Sequence, residues 1–401
     1  MNLTETEEDK KFREEVKAFL ESALSPELVR AGENTTSIFS DFDAAIAWQK
    51  ILHDKGWLLS DWPVEHGGNG WTLAQKTIFE TECKKHNAPA LFSLGIQMLG
   101  PIIIKYGTDE QKDLYLERIA STEDIWCQGY SEPNAGSDLA ALKTSAKREG
   151  KDYIVNGSKI WTSYAHRSNM IFCLVRTSTE GPKQAGISFL LIDMNTPGVQ
   201  VDEIISIDGE VEQCQVFFDD VRVPAANLVG EENQGWEISK YLLQLERGGY
   251  SYFNALNKSI LKLRKIAEHQ LCDNGSKMID DPVFADKLAN LEMEKLALEF
   301  TEHRVRLDEN IFRENPAISS VPKLVGTELG QKLDLLGLEL RNGYTAPLQN
   351  HALSPQYEGD VIGDAHGIAL TNSYLNNRAS TIYGGSAQVQ RNIIAKQLMK
   401  S

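Results

Sequence analysis

Cysteine pairs, long apolar runs and excess positive charge are all scarce in this chain, and each shortage removes a class of function. The five cysteines, Cys83, Cys127, Cys173, Cys214 and Cys272, are odd in number and show no CxxC spacing. Free thiols in a reducing compartment are therefore expected, and neither a disulfide framework nor a metal site. No stretch approaches the ~18 consecutive apolar residues of a membrane span. The opening segment, MNLTETEEDKKFREEV, has no basic region with an apolar run behind it, so no secretory signal is visible and a cytoplasmic protein is expected. Lys and Arg number 41 against 57 Asp and Glu, a net charge of -16, which disfavours nucleic acid and membrane surfaces as partners. An anionic substrate would need a local basic pocket. Repeats and low-complexity linkers are also lacking.

What is there is ordinary globular composition in a chain of 401 residues, enough for two or three filled cores. Residues 1–122 read as a helical domain. Thr4 and Glu7 make a capping-box pattern, followed by Phe12, Val16, Phe19 and Leu20 at helical spacing. Breaks fall at Ser25-Pro26 and in DWPVEHGGNGW, Asp61 to Trp71, and Thr72 is placed to cap the next helix. The period changes over 123–232. There YIVNGSKIW sets Asn156-Gly157 between two β-branched runs, a strong hairpin signal, and MIFCLVR, ISFLLIDM and VFFDDVRV read as strands. Helical spacing returns over 233–401, with Leu288, Leu291, Leu296 and Leu298 in a Glu/Lys/Ala/Leu-rich stretch. The fold class is α+β, in three domains.

Two stretches carry possible chemistry. GYSEPNAGSDLAALKT, Gly129 to Thr144, is rich in small and hydroxyl residues that let backbone N–H groups approach a ligand, although a plain polar turn has the same composition. SKIWTS, Ser158 to Ser163, offers a tryptophan beside two hydroxyls, which fits a ring-stacking ligand site or a core tryptophan packing two sheets.

The ordered set Ser-Glu-Pro-x-Ala-Gly-Ser-Asp, Lys-x-Trp, FFDDVRVPAANLVGEENQGW, Leu-Glu-Arg and IYGGSAQVQRNIIA resembles the FAD-dependent acyl-CoA dehydrogenase family from Trp62 to Lys396. It is most similar to the bacterial branch that includes pimeloyl-CoA and steroid side-chain dehydrogenases. The resemblance implies a helical N-terminal domain, a middle β-barrel or sandwich, and a C-terminal four-helix bundle. It also implies that Gln128, Tyr130, Ser131, Gly136 and Ser137 line the FAD, and that Trp161, Thr162 and Ser163 flank its ring. Ser386 and Gln388 fall where relatives hold FAD. Ser137, Gln244, Arg247 and Gly384 fall at the acyl-CoA.

One acid is missing. Many relatives carry the catalytic glutamate after the tyrosine of the C-terminal turn, whereas here Gly384 follows Tyr383. A second group of relatives places it in Leu-x-Leu-Glu-Arg on a helix, and LLQLERGGYSYF, Leu242 to Phe253, puts Glu246 there. Read without that resemblance, Glu246 beside Arg247 is an ordinary surface pair. Gly248 and Gly249 inside a helix each cost about 1 kcal/mol, which points to close approach to a bulky ligand or to a helix kink or close helix crossing. The implied reaction is α-proton removal by Glu246 with hydride transfer to flavin, giving a trans-2-enoyl-CoA, and an activity limit on the acid side above the usual glutamate value.

Electrons would pass to an electron-transfer flavoprotein, or to oxygen in an oxidase. The Arg-x-x-Phe-Gly segment with which many relatives reach a neighbour's FAD is absent from HQLCDNGSKMIDDP, His269 to Pro282, and LGLELRNGY stands where a Gln and a Gly-Gly often occur. Two assemblies follow from this: a homo-oligomer, dimer or tetramer, in which Arg341 and nearby groups substitute, or a heterotetramer with a related subunit that shares the FAD sites. A non-catalytic partner subunit is the rival of a different class.

Overall fold

The structure, a computed structural model, describes residues 5–249, 251–307 and 317–399, with the side chains of 246–249, 307, 342 and 343 outside the description. Two compact units emerge from the packing, one built from residues 52–70 and 93–249 and the other from residues 5–51, 71–92 and 251–399. The first 122 residues are therefore shared between two cores.

The first unit is organised on one hydrogen-bonded sheet. Its strands are β1 (Trp126–Gly129), β2 (Ser145–Glu149), β3 (Asp152–Ser163), β4 (Met170–Arg176), β5 (Ile187–Asp193), β6 (Val199–Ile205), β7 (Val211–Pro224) and β8 (Leu228–Val229), ordered β6-β7-β3-β2-β4-β5-β8 with β1 parallel beside β4. Strand β7 buries Glu212, Cys214, Val216 and Phe218 in alternation, as expected of a strand with one face on a core. Met170–Val175 and Ile187–Ile192 are buried without alternation because both faces of β4 and β5 are covered. In the same unit the Trp62 indole N–H donates to the Ile96 carbonyl at 2.8 Å. A side chain at Gly100 would strike that ring at 2.2 Å.

The second unit is helical. It includes α1 (Glu7–Ala23), α2 (Pro26–Glu33), α4 (Leu73–Lys85), α8 (Tyr252–His269), α9 (Pro282–Leu307) and the helices Ser320–Arg341 and Ala387–Leu398, while α3 (Phe42–Lys55) begins here and ends in the first unit. Leu256, Ile260, Leu263 and Ile266 recur every three or four residues and pack with Leu288, Leu291, Leu298, Leu329, Leu333 and Leu336 in one cluster. Leu296 points away from that cluster and is exposed. The middle sheet between helical segments is the α+β architecture read from the sequence.

Two local expectations are corrected. Helix α1 is capped by Thr6, not by Thr4, which lies outside the described residues. The reciprocal bonds run between Thr6 and Asp9, at 3.1 and 2.9 Å, because Thr6-x-x-Asp9 offers the same pattern two residues later. Thr72 caps α4 as expected, with Gln75 closing the box. Asn156-Gly157 is no hairpin turn but an irregularity inside the continuous strand β3. The Asn156 side chain exchanges two 2.9 Å bonds with Asp220 across the sheet, and Gly157, at φ 145°, presses against Thr144, where a Cβ would come within 2.6 Å of the hydroxyl. The reversal comes earlier, at Gly150 with φ 64°, where Glu149 faces Asp152. Gly248 and Gly249 do lie in a helix, as the sequence reading expected. They are the last two residues of α7 (Gly235–Gly249), so whatever glycine costs there falls on the final turn of the helix.

Candidate active site

The loop after β1 is fixed by a buried ion pair. Gln128, half-buried on β1, leads into Tyr130 and Ser131, and the next residue, Glu132, is only 9 % exposed. Its carboxylate meets Lys159 Nζ at 2.9 Å and accepts the backbone N–H groups of Lys143 at 2.6 Å and Thr144 at 2.9 Å. Lys159 is fully buried and donates also to the Tyr130 carbonyl at 3.2 Å. Burial alone would raise the Glu132 pKa, but the Lys159 charge and the N–H donors outweigh it and hold the carboxyl below its ordinary value. The Glu of Ser-Glu-Pro and the Lys of Lys-x-Trp are thus one structural element. It closes the loop Pro133–Leu142 and leaves Gly136 and Ser137 exposed at its tip, with open space where a side chain on Gly136 would be.

Lys159 is also the last residue of β3 in regular register before the aromatic. On β3, Lys159 faces Val216 and Thr162 faces Cys214, so three steps along β3 match two along β7 and one residue is extra. Trp161 takes a left-handed φ of 61°, unusual for a bulky side chain, and is 60 % exposed. The core-tryptophan alternative is thereby excluded for this chain by itself. The bulge also separates the two hydroxyls. Thr162 is 1 % exposed, and its hydroxyl is buried with no hydrogen-bond partner among the described residues, so a surface ligand can reach its backbone but not its side chain. Ser163, half-buried, lies 3.3 Å from the Gln213 amide nitrogen. Gln213 carries no sequence signal of its own; only strand pairing brings it opposite Ser163.

The C-terminal turn belongs to the helical unit. Gly384 and Gly385 have φ of 62° and 85°, and the buried Gln390 donates to their carbonyls at 3.4 and 3.2 Å. A side chain at Gly385 would meet Gln390 at 2.5 Å. Positive φ at both positions favours glycine, which gives a local reason for the absent carboxylate. The Ser386 hydroxyl accepts the Val389 N–H at 3.3 Å and caps the last helix, and Gln388 is exposed on its first turn. Glu246 and Arg247 lie on α7 with side chains outside the described residues; Gln244, on the same helix, is exposed. Arg341 is buried, donates to the Ile362 carbonyl at 3.2 Å and packs against Gly363 and Gly367. A separate cleft of about 620 Å³ is lined by residues such as His53, Trp62, Lys112 and Glu117, and by none of the residues expected at the active site.

Comparison with known proteins decides the family. Residues 6–123, 127–221 and 233–399 match the acyl-CoA dehydrogenase N-terminal, middle and C-terminal domain models. The acyl-CoA dehydrogenase IpdE1 of Mycobacterium tuberculosis is 34 % identical over 361 residues, 89 % of this chain and 88 % of that protein. The chain belongs to the acyl-CoA dehydrogenase family. Among solved structures, the ChsE4-ChsE5 complex of Mycobacterium tuberculosis superposes with a TM-score of 0.83 at 29 % identity, covering 100 % of this chain and 99 % of the other. The Tcur3481-Tcur3483 steroid ACAD superposes with a TM-score of 0.83 at 26 % identity, covering 100 % and 99 %.

As an acyl-CoA dehydrogenase, the chain is an oxidoreductase of a family that generally uses FAD, and its own residues fit such a group. An exposed indole held by a bulge stands two residues from Ser163, and the Gly136-Ser137 tip leaves the backbone open. No helix among the described residues is long and apolar enough to cross a membrane.

Proposed function

We propose that this acyl-CoA dehydrogenase carries out FAD-dependent α,β-dehydrogenation of an acyl-CoA thioester and passes the electrons to an electron-transfer flavoprotein. The observation that supports it best is Trp161, exposed at a strained bulge that begins just after Lys159, the buried partner of Glu132. Trp161 and the backbone of Thr162 offer a face and polar groups for the flavin ring, and Ser163 is the hydroxyl on that side. Gln128, Tyr130, Ser131, Gly136 and Ser137 line the same group, and Ser386 and Gln388 contribute from the C-terminal turn. When bound, FAD supplies the hydride acceptor.

Glu246 is assigned as the base that removes the α-proton, because Gly384 cannot serve and no other acid stands at a position where the family keeps one. The backbone N–H of Gly384 is assigned to the thioester oxygen, where negative charge develops as the proton leaves. That donor survives loss of the side chain. Ser137, Gln244 and Arg247 are assigned to the acyl-CoA. The experiment is an anaerobic titration of the yellow protein with a panel of acyl-CoAs, repeated with Glu246→Gln. Bleaching by a substrate class and its loss in the variant are expected; undiminished bleaching overturns the base. Steady peroxide without added acceptor would replace the dehydrogenase by an oxidase.

A second assembly, a heteromer with shared FAD sites, draws support from two observations. Both solved relatives above carry two protein names, and Arg341, the local substitute for the missing Arg-x-x-Phe-Gly arginine, is occupied inside its own unit. One tightly bound FAD per chain in the protein expressed alone would remove this reading in favour of a homo-oligomer. The steroid substrate named for one relative is carried over only as a candidate acyl group.

A further inference from the structure

The exposed tip at Gly136 and Ser137 is held at one end by Glu132, but the other end needs its own anchor. Leu139–Ala141 form a single 3-10 turn, too short to stabilise itself, and the segment runs on through Leu142 and Lys143 to β2. Arg176, the last residue of β4, supplies that anchor. Its Nη2 donates to the Ala140 carbonyl at 2.7 Å and to the Leu142 carbonyl at 3.2 Å, its Nε also donates to Leu142 at 3.2 Å, and its Nη1 donates to the Lys183 carbonyl at 2.6 Å. The Arg176 backbone N–H donates to the Thr144 carbonyl at 2.7 Å. Lys183, in the β4–β5 connection that Arg176 also grips, reaches back to Asp138 at 2.5 Å, next to Ser137.

A guanidinium is suited to this task because its planar fork addresses several carbonyls at once, and charged donors make the stronger bonds. Carbonyl groups bound on one side of the loop are turned away from the other. We propose that Arg176 is a positioning residue: by gripping the Ala140, Leu142 and Lys183 carbonyls it holds the Gly136-Ser137 tip in the shape that receives FAD. The role rests on the FAD-binding reading above. It extends that reading to a residue that acts through the loop carbonyls it grips.

The test uses the full-length chain as wild type, Arg176→Ala and Arg176→Lys, each freed of flavin and titrated with FAD. Tryptophan emission and the visible band of bound flavin report binding, and thermal melts run alongside. The dissociation constant for FAD should rise about tenfold or more in Arg176→Ala, the loss expected when charged hydrogen bonds to the loop disappear. Arg176→Lys should fall between, since one ammonium cannot bridge three carbonyls. Millimolar ethylguanidinium should tighten FAD again in Arg176→Ala and leave wild type unchanged. A purely structural arginine would lower the melting temperature without altering the FAD affinity of the folded protein or responding to ethylguanidinium. Wild-type FAD affinity in a folded Arg176→Ala therefore overturns the proposal and leaves the proposed function standing. If that variant does not fold, wild-type affinity in Arg176→Lys overturns it instead. A wild-type chain that takes up no FAD removes the proposed function and this role together.

Discussion

Two buried glutamates, one in each unit, have opposite acidities. Glu132 is 9 % exposed and its pKa is lowered; Glu302, on α9, is 3 % exposed and its pKa is pushed up to about 7. Burial acts in the same direction on both. Glu132, however, has a buried ammonium at 2.9 Å and two backbone donors. One oxygen of Glu302 accepts the Phe253 N–H at 3.2 Å, at the start of α8, while the other is buried without a hydrogen-bond partner among the described residues. Arg306 lowers the Glu302 pKa but does not cancel burial, and Glu80 raises it. A partner in contact decides the sign of the shift; depth alone does not.

The largest effect should come from removing the partner of Glu132. Lys159→Met strands a buried carboxylate and should lower stability by about 3–5 kcal/mol at neutral pH, read by chemical denaturation. The pH dependence should also reverse. In wild type, the lowered Glu132 pKa contributes stability that is present above the ordinary glutamate value and is lost as pH falls through its own pKa. In the variant, burial acts without the ammonium and stability should improve as pH falls. Adding Glu132→Gln to Lys159→Met should recover much of the loss, because no charge is then left unpaired. A double variant no more stable than Lys159→Met would show that the pair is not the source of the effect.

Glu302→Gln should act in the opposite direction. The raised pKa means that its contribution is fully present below the ordinary glutamate value and is lost as pH rises through about 7. At pH 8 the glutamine, which can still accept the Phe253 N–H, should stabilise the protein by on the order of 2 kcal/mol, and the gain should vanish near pH 4. Melting curves at the two values check this. Equal melting shifts at both would mean that Glu302 does not titrate in this range. The smallest effect is expected from Arg306→Met, which removes a positive charge that lowers the Glu302 pKa and should move its titration upward in carbon-detected NMR.

Much of the fold was legible because it rests on local periodicity. The change from helical spacing to β-branched runs and back located the middle sheet, and Thr72 capped its helix where the pattern predicted. The failures came where two local signals were equally good or where a distant strand intervened. Thr4 and Thr6 both begin plausible capping boxes. Asn156-Gly157 is a fine turn until Asp220 pairs with the asparagine across the sheet and the glycine meets Thr144. At the candidate site, the sequence motif carried both Glu132 and Lys159 but not their contact. Nor could it tell which of Thr162 and Ser163 faces outward, since that depends on one extra residue in the pairing of β3 with β7. Gln213 and Arg176 carry no motif and become visible only through what they touch.

By itself, the sequence determined the element types, the order of helical and β segments, and the family, because spacing and ordered motifs are properties of the chain. Tertiary structure alone decided that Trp161 stands outside the core, that Glu132 is a charged loop anchor and that Glu302 is a weak acid. Exposure, strand register and acidity are set by groups far apart in sequence, and folding fixes which of them meet.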